Sequence, residues 1–147
     1  MSLNQQYTHL IFGTKRRCRT ITEANKRSLY AFLYYLLKEQ GCYVYRINGV
    51  EDHVHILFNK NPRTLIEDLV RRLKSVSSRW MKESGLFPYF DGWCKEYCAL
   101  SKGREQLPQI TQYIINQEEH HKGVTFEEEL RQIYAEEGAE FHPKAFL

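Results

Sequence analysis

Two runs of helical periodicity, each set between short β-branched and aromatic segments, restrict the folds open to this chain more than any other feature. Tyr7 to Thr14 (YTHLIFGT) has the make-up of a strand. Leu29, Phe32, Leu33, Leu36 and Leu37 recur at three- and four-residue spacing, which predicts a helix to about Gln40, with Thr22 as N-cap and Gly41 past its end. Cys42 to Ile47 and Val54 to Asn59 are two further strands, joined at Asn48-Gly49 by a turn that is either tight or reaches Asp52. Pro62 suits a first helical turn, and Leu65, Leu69, Leu73, Val76 and Trp80 stripe a second helix to about Glu83. Trp93 to Ser101 reads as a fourth strand. Beyond Gly103, the spacing of Leu107, Ile110 and Ile114 predicts a helix from about Gln106 to Glu119. Thr125 caps a last helix, with Phe126, Leu130 and Tyr134 on one side. The order is β-α-β-β-α-β plus two C-terminal helices. It implies an α+β, ferredoxin-like fold, an antiparallel sheet with helices on one face.

The 147 residues suit a single domain, 1–147, with no repeat or linker dividing it. No apolar run is long enough to span a bilayer, and the initial MSLNQQ lacks the basic and apolar parts of a secretory signal, so the expected location is the cytoplasm. Cys18, Cys42, Cys94 and Cys98 are then expected as reduced thiols, and their spacing makes no zinc ribbon. A formal net charge of +3 does not by itself indicate a nucleic-acid partner. The distribution says more than the total. Glu118, Glu119, Glu127, Glu128, Glu129, Glu136, Glu137 and Glu140 supply 8 of the 18 acids, which leaves the earlier part of the chain basic. Lys15, Arg16, Arg17 and Arg19 cluster after the first strand, and Arg71, Arg72, Lys74 and Arg79 lie along the second helix. Such cations either pair with phosphates or simply solvate a loop and a helix face.

A fold of this kind hosts many activities, so function has to be read from particular side chains. His53-Val54-His55 stands at the start of a strand, where alternation sends both imidazoles to one face and Val54 to the other. Two neighbouring imidazoles suit a divalent cation, or are two surface histidines of a half-exposed strand. Tyr113 and Gln117 lie one helical turn apart, on a face offset from the Leu107–Ile110–Ile114 stripe. A tyrosine can act as a covalent nucleophile, and a glutamine carbonyl oxygen can complete the shell of a hard cation.

His-hydrophobic-His followed far downstream by Tyr-x-x-x-Gln is an ordered combination, and through it the chain resembles a known family. Asp52 to Leu57 (DHVHIL) resembles the HUH signature of enzymes that process single-stranded DNA. Tyr113 to His121 (YIINQEEHH) resembles the nucleophile helix of the single-tyrosine transposases of minimal bacterial and archaeal insertion sequences, the IS200-like family. Lys74-Ser75 with Ser77-Ser78, and the tail from Thr125 to Phe141, are similar to further family segments, whereas Phe90 to Lys102 departs from the family's fourth strand.

The resemblance implies a nucleophile helix at about residues 104–120, then a C-terminal helix and tail at about 125–147. It implies that His53, His55 and Gln117 bind Mg²⁺ or Mn²⁺, and that Tyr113 attacks a phosphodiester to form a 5′-phosphotyrosine. Asp52, His120, His121 or a water on the cation would accept the tyrosine proton. The substrate would be single-stranded DNA with hairpin ends, its phosphates met by the two basic clusters and its bases stacked on Tyr43, Tyr45 or Trp93. The partner would be a second copy in a homodimer, with the Tyr113 helix able to complete the partner's site about a hinge at Lys102–Gln106. Two other readings stand beside this one. The first, a catalytically idle nucleic-acid-binding module, would expect one of His53, His55, Tyr113 or Gln117 to be lost. The second is a domesticated relative acting on repeated palindromes.

Overall fold

Strands Tyr7–Gly13 (β1), Tyr43–Val50 (β2), His53–Asn59 (β3) and Cys98–Lys102 (β4) form one antiparallel sheet in the order β2-β3-β1-β4. Helices Lys26–Glu39 (α1) and Ile66–Ser84 (α2) make the crossovers, and Leu107–Ile115 (α3), Gln117–His120 (α4) and Phe126–Glu136 (α5) follow β4. The coordinates are a computed structural model that describes residues 1–147. The α+β architecture and the element order are those expected from the periodicities. No helix is long and apolar enough to cross a membrane.

Alternation along β1 and β3 sorts their side chains between two layers. Leu10, Phe12, Val54, Ile56 and Phe58 join Leu29, Leu33 and Leu37 of α1 and Leu69, Leu73 and Met81 of α2 in the main core. Ile11 turns to the other face and meets Phe126, Leu130 and Ile133 of α5, while Leu57 meets Ile110 and Ile114 of α3. The expected one-sided sheet is therefore covered on both faces. Every residue of β1 is buried, which is why its sequence is almost unbroken in apolar character.

Several boundaries differ from the expected ones for identifiable reasons. The first helix begins at Lys26, not after Thr22, because the Asn25 side chain organises the approach. Its Oδ1 accepts from Thr22 N–H at 2.7 Å, and its Nδ2 donates to the Thr20 and Leu86 carbonyls, each at 2.9 Å. Asn48 and Gly49 stay inside β2, and the hairpin turns at Glu51-Asp52. Gly49 is there because a Cβ would stand 2.1 Å from the His53 carbonyl oxygen. Asn48 instead donates from Nδ2 to the Ile114 carbonyl at 2.9 Å, taking up one of the acceptors that a continuing α3 would use. The single helix expected from Gln106 to Glu119 accordingly breaks at Asn116 (φ −88°, ψ 13°) into α3 and α4. Thr125 caps α5 as expected, and the structure completes the cap as a capping box, with Glu128 N–H donating to Thr125 Oγ1 at 3.1 Å.

The fourth strand is shorter than Trp93 to Ser101, since Thr14 and Trp93 share only an isolated bridge and regular pairing starts at Cys98. Lys74 is the cause. Its Nζ donates to the carbonyls of Cys94, Lys95 and Glu96 at 2.7, 3.0 and 3.1 Å, holding that segment against α2 and off the ladder. All three ammonium donors are thereby committed to one loop. Lys74→Met, which keeps the apolar stem, should lower the unfolding free energy by about 1.5–3 kcal/mol in urea titrations. Amide exchange should quicken first at residues 94–97.

Candidate active site

The β1–β3 register sets His53 opposite Gly13, His55 opposite Ile11 and His9 opposite Leu57, so three histidines share the face covered by α3, α4 and α5. α5 brings Glu129 to them. His53, His55 and Gln117 are 0% exposed and Glu129 is 2% exposed. Gly13 has a steric role, because a Cβ there would lie 2.6 Å from the Phe126 ring. That ring in turn stacks on His53 at 3.9 Å between centroids, nearly parallel.

Glu129 is the hub of the cluster, and its two oxygens face different groups. Oε1 lies 3.1 Å from His53 Nε2, 3.2 Å from His55 Nε2 and 3.1 Å from His121 Nε2. Oε2 accepts the hydroxyl of Tyr113, accepts from Gln117 Nε2 at 2.9 Å, and is 3.6 Å from His120 Nε2. The outer nitrogens of the histidines are held as well. His53 Nδ1 is 2.8 Å from Asp52 Oδ1, His55 Nδ1 is 2.9 Å from His9 Nε2, and His121 Nδ1 is 2.6 Å from the Val124 carbonyl. Gln117 turns its Oε1 to within 3.2 Å of His53 Nε2. Five of the six histidines thus gather round one carboxylate.

Burial and charge act against each other here. Burial works against the His53 imidazolium, yet the carboxylates of Asp52 and Glu129 outweigh it and push the pKa up to about 9. His55 is pushed down by burial, and His9 is held well below the usual range by burial and the adjoining His55 and Lys102. Burial opposes ionisation of Glu129, but His55, His121 and His53 together drive its pKa far below the ordinary carboxyl range. The Tyr113 phenol is pushed up by burial and then by the charge of Glu129, so at rest it is neutral and donates its proton to a carboxylate.

The donors of His53, His55 and Glu129 lie within 4.8 Å of one another, as do those of His120, His121 and Glu129. Imidazole nitrogens with a carboxylate oxygen and the Gln117 amide oxygen alongside form a set that fits a small divalent cation. A cleft of about 570 Å³, lined by His9, Lys102, Gln106, Tyr113, His120 and Glu129 among others, reaches the group from the side of β4.

The residues expected at the site are therefore together, with His53, His55, Tyr113 and Gln117 meeting inside one chain. The basic residues are divided. Loop 15–19 follows β1 at the His53 end of the sheet, whereas α2 packs on the opposite face. Lys15 and Arg16 pair with Asp91, Arg19 with Glu51, Arg71 with Asp68 and Arg72 with Glu39, all at exposed positions where such pairs hold weakly. Arg79 is exposed. Arg17 is half-buried on Glu127 of α5 at 2.8 Å, and Lys74 is committed to the 94–96 carbonyls. Tyr43 is exposed on the edge strand with Tyr45 against it, as a base platform requires. Trp93 is not such a platform. It is buried edge-on to Phe12, with Nε1 donating to Ser77 Oγ at 2.9 Å.

Glu129 and His9 were not among the expected site residues, although each leaves a trace in the chain. Glu129 falls within the stripe of Phe126, Leu130 and Ile133, where a carboxylate is out of place on a face bound for the core. His9 shares the parity of Ile11 in an otherwise apolar strand. Neither signal is specific without knowing which helix covers which face.

Residues 2–117 match the family model described as "Transposase IS200 like". The ISDra2 transposase TnpA of Deinococcus radiodurans is 28% identical over 116 residues, covering 74% of this chain and 81% of that protein. A crystal structure of a Deinococcus radiodurans R1 protein assigned as a transposase superposes with a TM-score of 0.63 at 29% identity, covering 79% of this chain and 93% of that one. The fold also matches a REP-associated tyrosine transposase solved bound to a REP hairpin, with a TM-score of 0.59 at 10% identity, over 82% of this chain and 74% of that one.

Phe126 ties α5 to the site through His53 and Gly13. Phe126→Ala should cost about 3–5 kcal/mol of stability by urea denaturation. Amide exchange in residues 126–136 should rise more than in α1 or α2.

Proposed function

The chain belongs to the transposase IS200-like family, and from that premise we propose that it is a strand transferase for single-stranded DNA. On this reading it cuts and rejoins element ends through a 5′-phosphotyrosine on Tyr113, with Mg²⁺ or Mn²⁺ held by His53, His55 and Gln117. The observation that carries it is the meeting of the Tyr113 hydroxyl and the His53–His55 pair on a single buried carboxylate. These residue types lie far apart in sequence, and a sheet face packed only for stability has little use for them together.

The chain's own part in the chemistry follows from where its atoms lie. Tyr113 Oη, held by its hydrogen bond to Glu129, attacks phosphorus and gives up its proton as the bond from phosphorus to the 3′-oxygen breaks, and the 3′-oxygen departs with a proton as a hydroxyl. The new ester keeps the energy of the phosphodiester, so a 3′-hydroxyl of another strand can displace Tyr113 and restore the link without ATP. When bound, the cation supplies Lewis acidity and orientation to the scissile phosphate. Asp52 fixes the His53 ring through Nδ1 and His9 does the same for His55, which aims both Nε2 atoms at one place. The exposed Lys15, Arg16, Arg19, Arg71 and Arg72 would exchange weak carboxylate partners for DNA phosphates, and the exposed Arg79 would meet them directly. Hairpin-bearing DNA ends and a homodimer belong to the same proposal. Within one chain Tyr113 already reaches its own histidine cluster, so cleavage in cis needs no exchange of helices.

Incubating the protein and Mn²⁺ with labelled single strands from the flanks of its own gene should give a covalent protein–DNA band. Tyr113→Phe and chelation should each abolish the band, and His55→Ala should reduce it by about 100-fold or more. An adduct surviving Tyr113→Phe would move the nucleophile elsewhere. No adduct on genuine end sequences, with DNA binding retained, would favour the idle binding module.

A further inference from the structure

Polar atoms from several elements converge on Glu129 inside a buried layer. The Nε2 atoms of His53, His55 and His121 lie 3.1–3.2 Å from its Oε1. Hydrogen bonds with His55 and His121 occupy the two lone pairs of Oε1, and the hydrogen bond of His53 Nε2 is made with Gln117 Oε1 at 3.2 Å. His53 Nε2 therefore stands against a carboxylate oxygen to which it is not hydrogen-bonded, with an amide oxygen beside both. Two imidazole nitrogens and a carboxylate oxygen gathered within 4.8 Å of one another form a set that a cation can hold together once the nitrogens give up their protons.

We propose that Glu129, carried on α5, is itself a ligand of the divalent cation through Oε1, while its Oε2 holds the Tyr113 hydroxyl. One carboxylate then links cation to nucleophile, and it fixes α5 over the sheet whenever the cation is present. Glu129 brings a negative charge to a set whose other members can hold a cation only as uncharged imidazole and amide, and charge count is what most raises affinity for Mg²⁺ or Mn²⁺. Its position suits the double role, because Oε2 is bonded by Tyr113 and Gln117 of the nucleophile segment, while Oε1 is the oxygen that His53, His55 and His121 surround. The inference rests on the reading of His53 and His55 as cation ligands.

The test compares wild type with Glu129→Gln, which keeps the shape and removes the charge, and with His53→Ala. Mn²⁺ binding is followed by calorimetry and by the electron paramagnetic resonance of free Mn²⁺, with and without hydrogen exchange. We expect Glu129→Gln to weaken Mn²⁺ binding by about tenfold or more. Mn²⁺ should slow exchange in residues 126–136 of wild type and leave it unchanged in Glu129→Gln. At saturating Mn²⁺, single-turnover cleavage by Glu129→Gln should still be about 100-fold slow at unchanged DNA affinity, as a misplaced nucleophile requires. Binding that depends on His53 but is indifferent to Glu129→Gln overturns this inference alone. A full return of the cleavage rate at saturating Mn²⁺ overturns the part that concerns Tyr113. No Mn²⁺ binding by wild type overturns the cation reading and this inference with it.

Discussion

The antiparallel pairing of β1 with β3 is the constraint on which the rest of the molecule depends. With Gly13 against His53 and Ile11 against His55, one set of side chains enters the α1–α2 core and the other enters the site. A slip of one residue would exchange the two sets, putting imidazoles among leucines and Ile56 among carboxylates. The apolar layer is thus what enforces the register, and the polar layer depends on that enforcement. The cost of burying His9, His53, His55 and Glu129 is met by mutual hydrogen bonding and by the well-packed face beneath them.

Side-chain chemistry explains how the second face is closed. α5 contributes Phe126, Leu130 and Ile133 as packing and Glu129 as the one charge they surround. Arg17 reaches Glu127 on the same helix from a loop in which Arg16 and Arg17 both have positive φ, at 54° and 55°. The basic loop and the acidic helix therefore neutralise part of each other, and the total charge of the chain conceals that pairing. On α2 the pairs are exposed and screened by water, so those cations remain exchangeable.

The elements were legible in the chain wherever periodicity alone decides them, as in α1, α2, β1, β3 and the Thr125 cap. Boundaries were illegible wherever a distant side chain sets them. Asn48 ends α3 from another strand, Asn25 delays α1, and Lys74 detaches residues 94–96 from the sheet. The same division holds at the site. His53, His55, Tyr113 and Gln117 could be singled out by type and spacing, because strand alternation and one helical turn are local rules. Glu129 could not, since its importance comes from α5 folding back over the face that β1 and β3 leave open. Trp93 was misjudged for the same reason, being an aromatic whose indole N–H finds Ser77 inside the core.

The complete burial of the His53 and His55 rings has a kinetic meaning. On the proposed function, an ion would reach or leave those nitrogens either past Glu129 from the cleft beside β4 or after the covering segments part. Along the second route exchange runs on the clock of a local opening, set by how often α5 lifts from Ile11 or α3 from Leu57, and becomes independent of concentration once the ion is plentiful. On the proposed function the order of arrival would then matter, and a cation supplied before DNA need not give the same complex, in the same time, as one supplied after it.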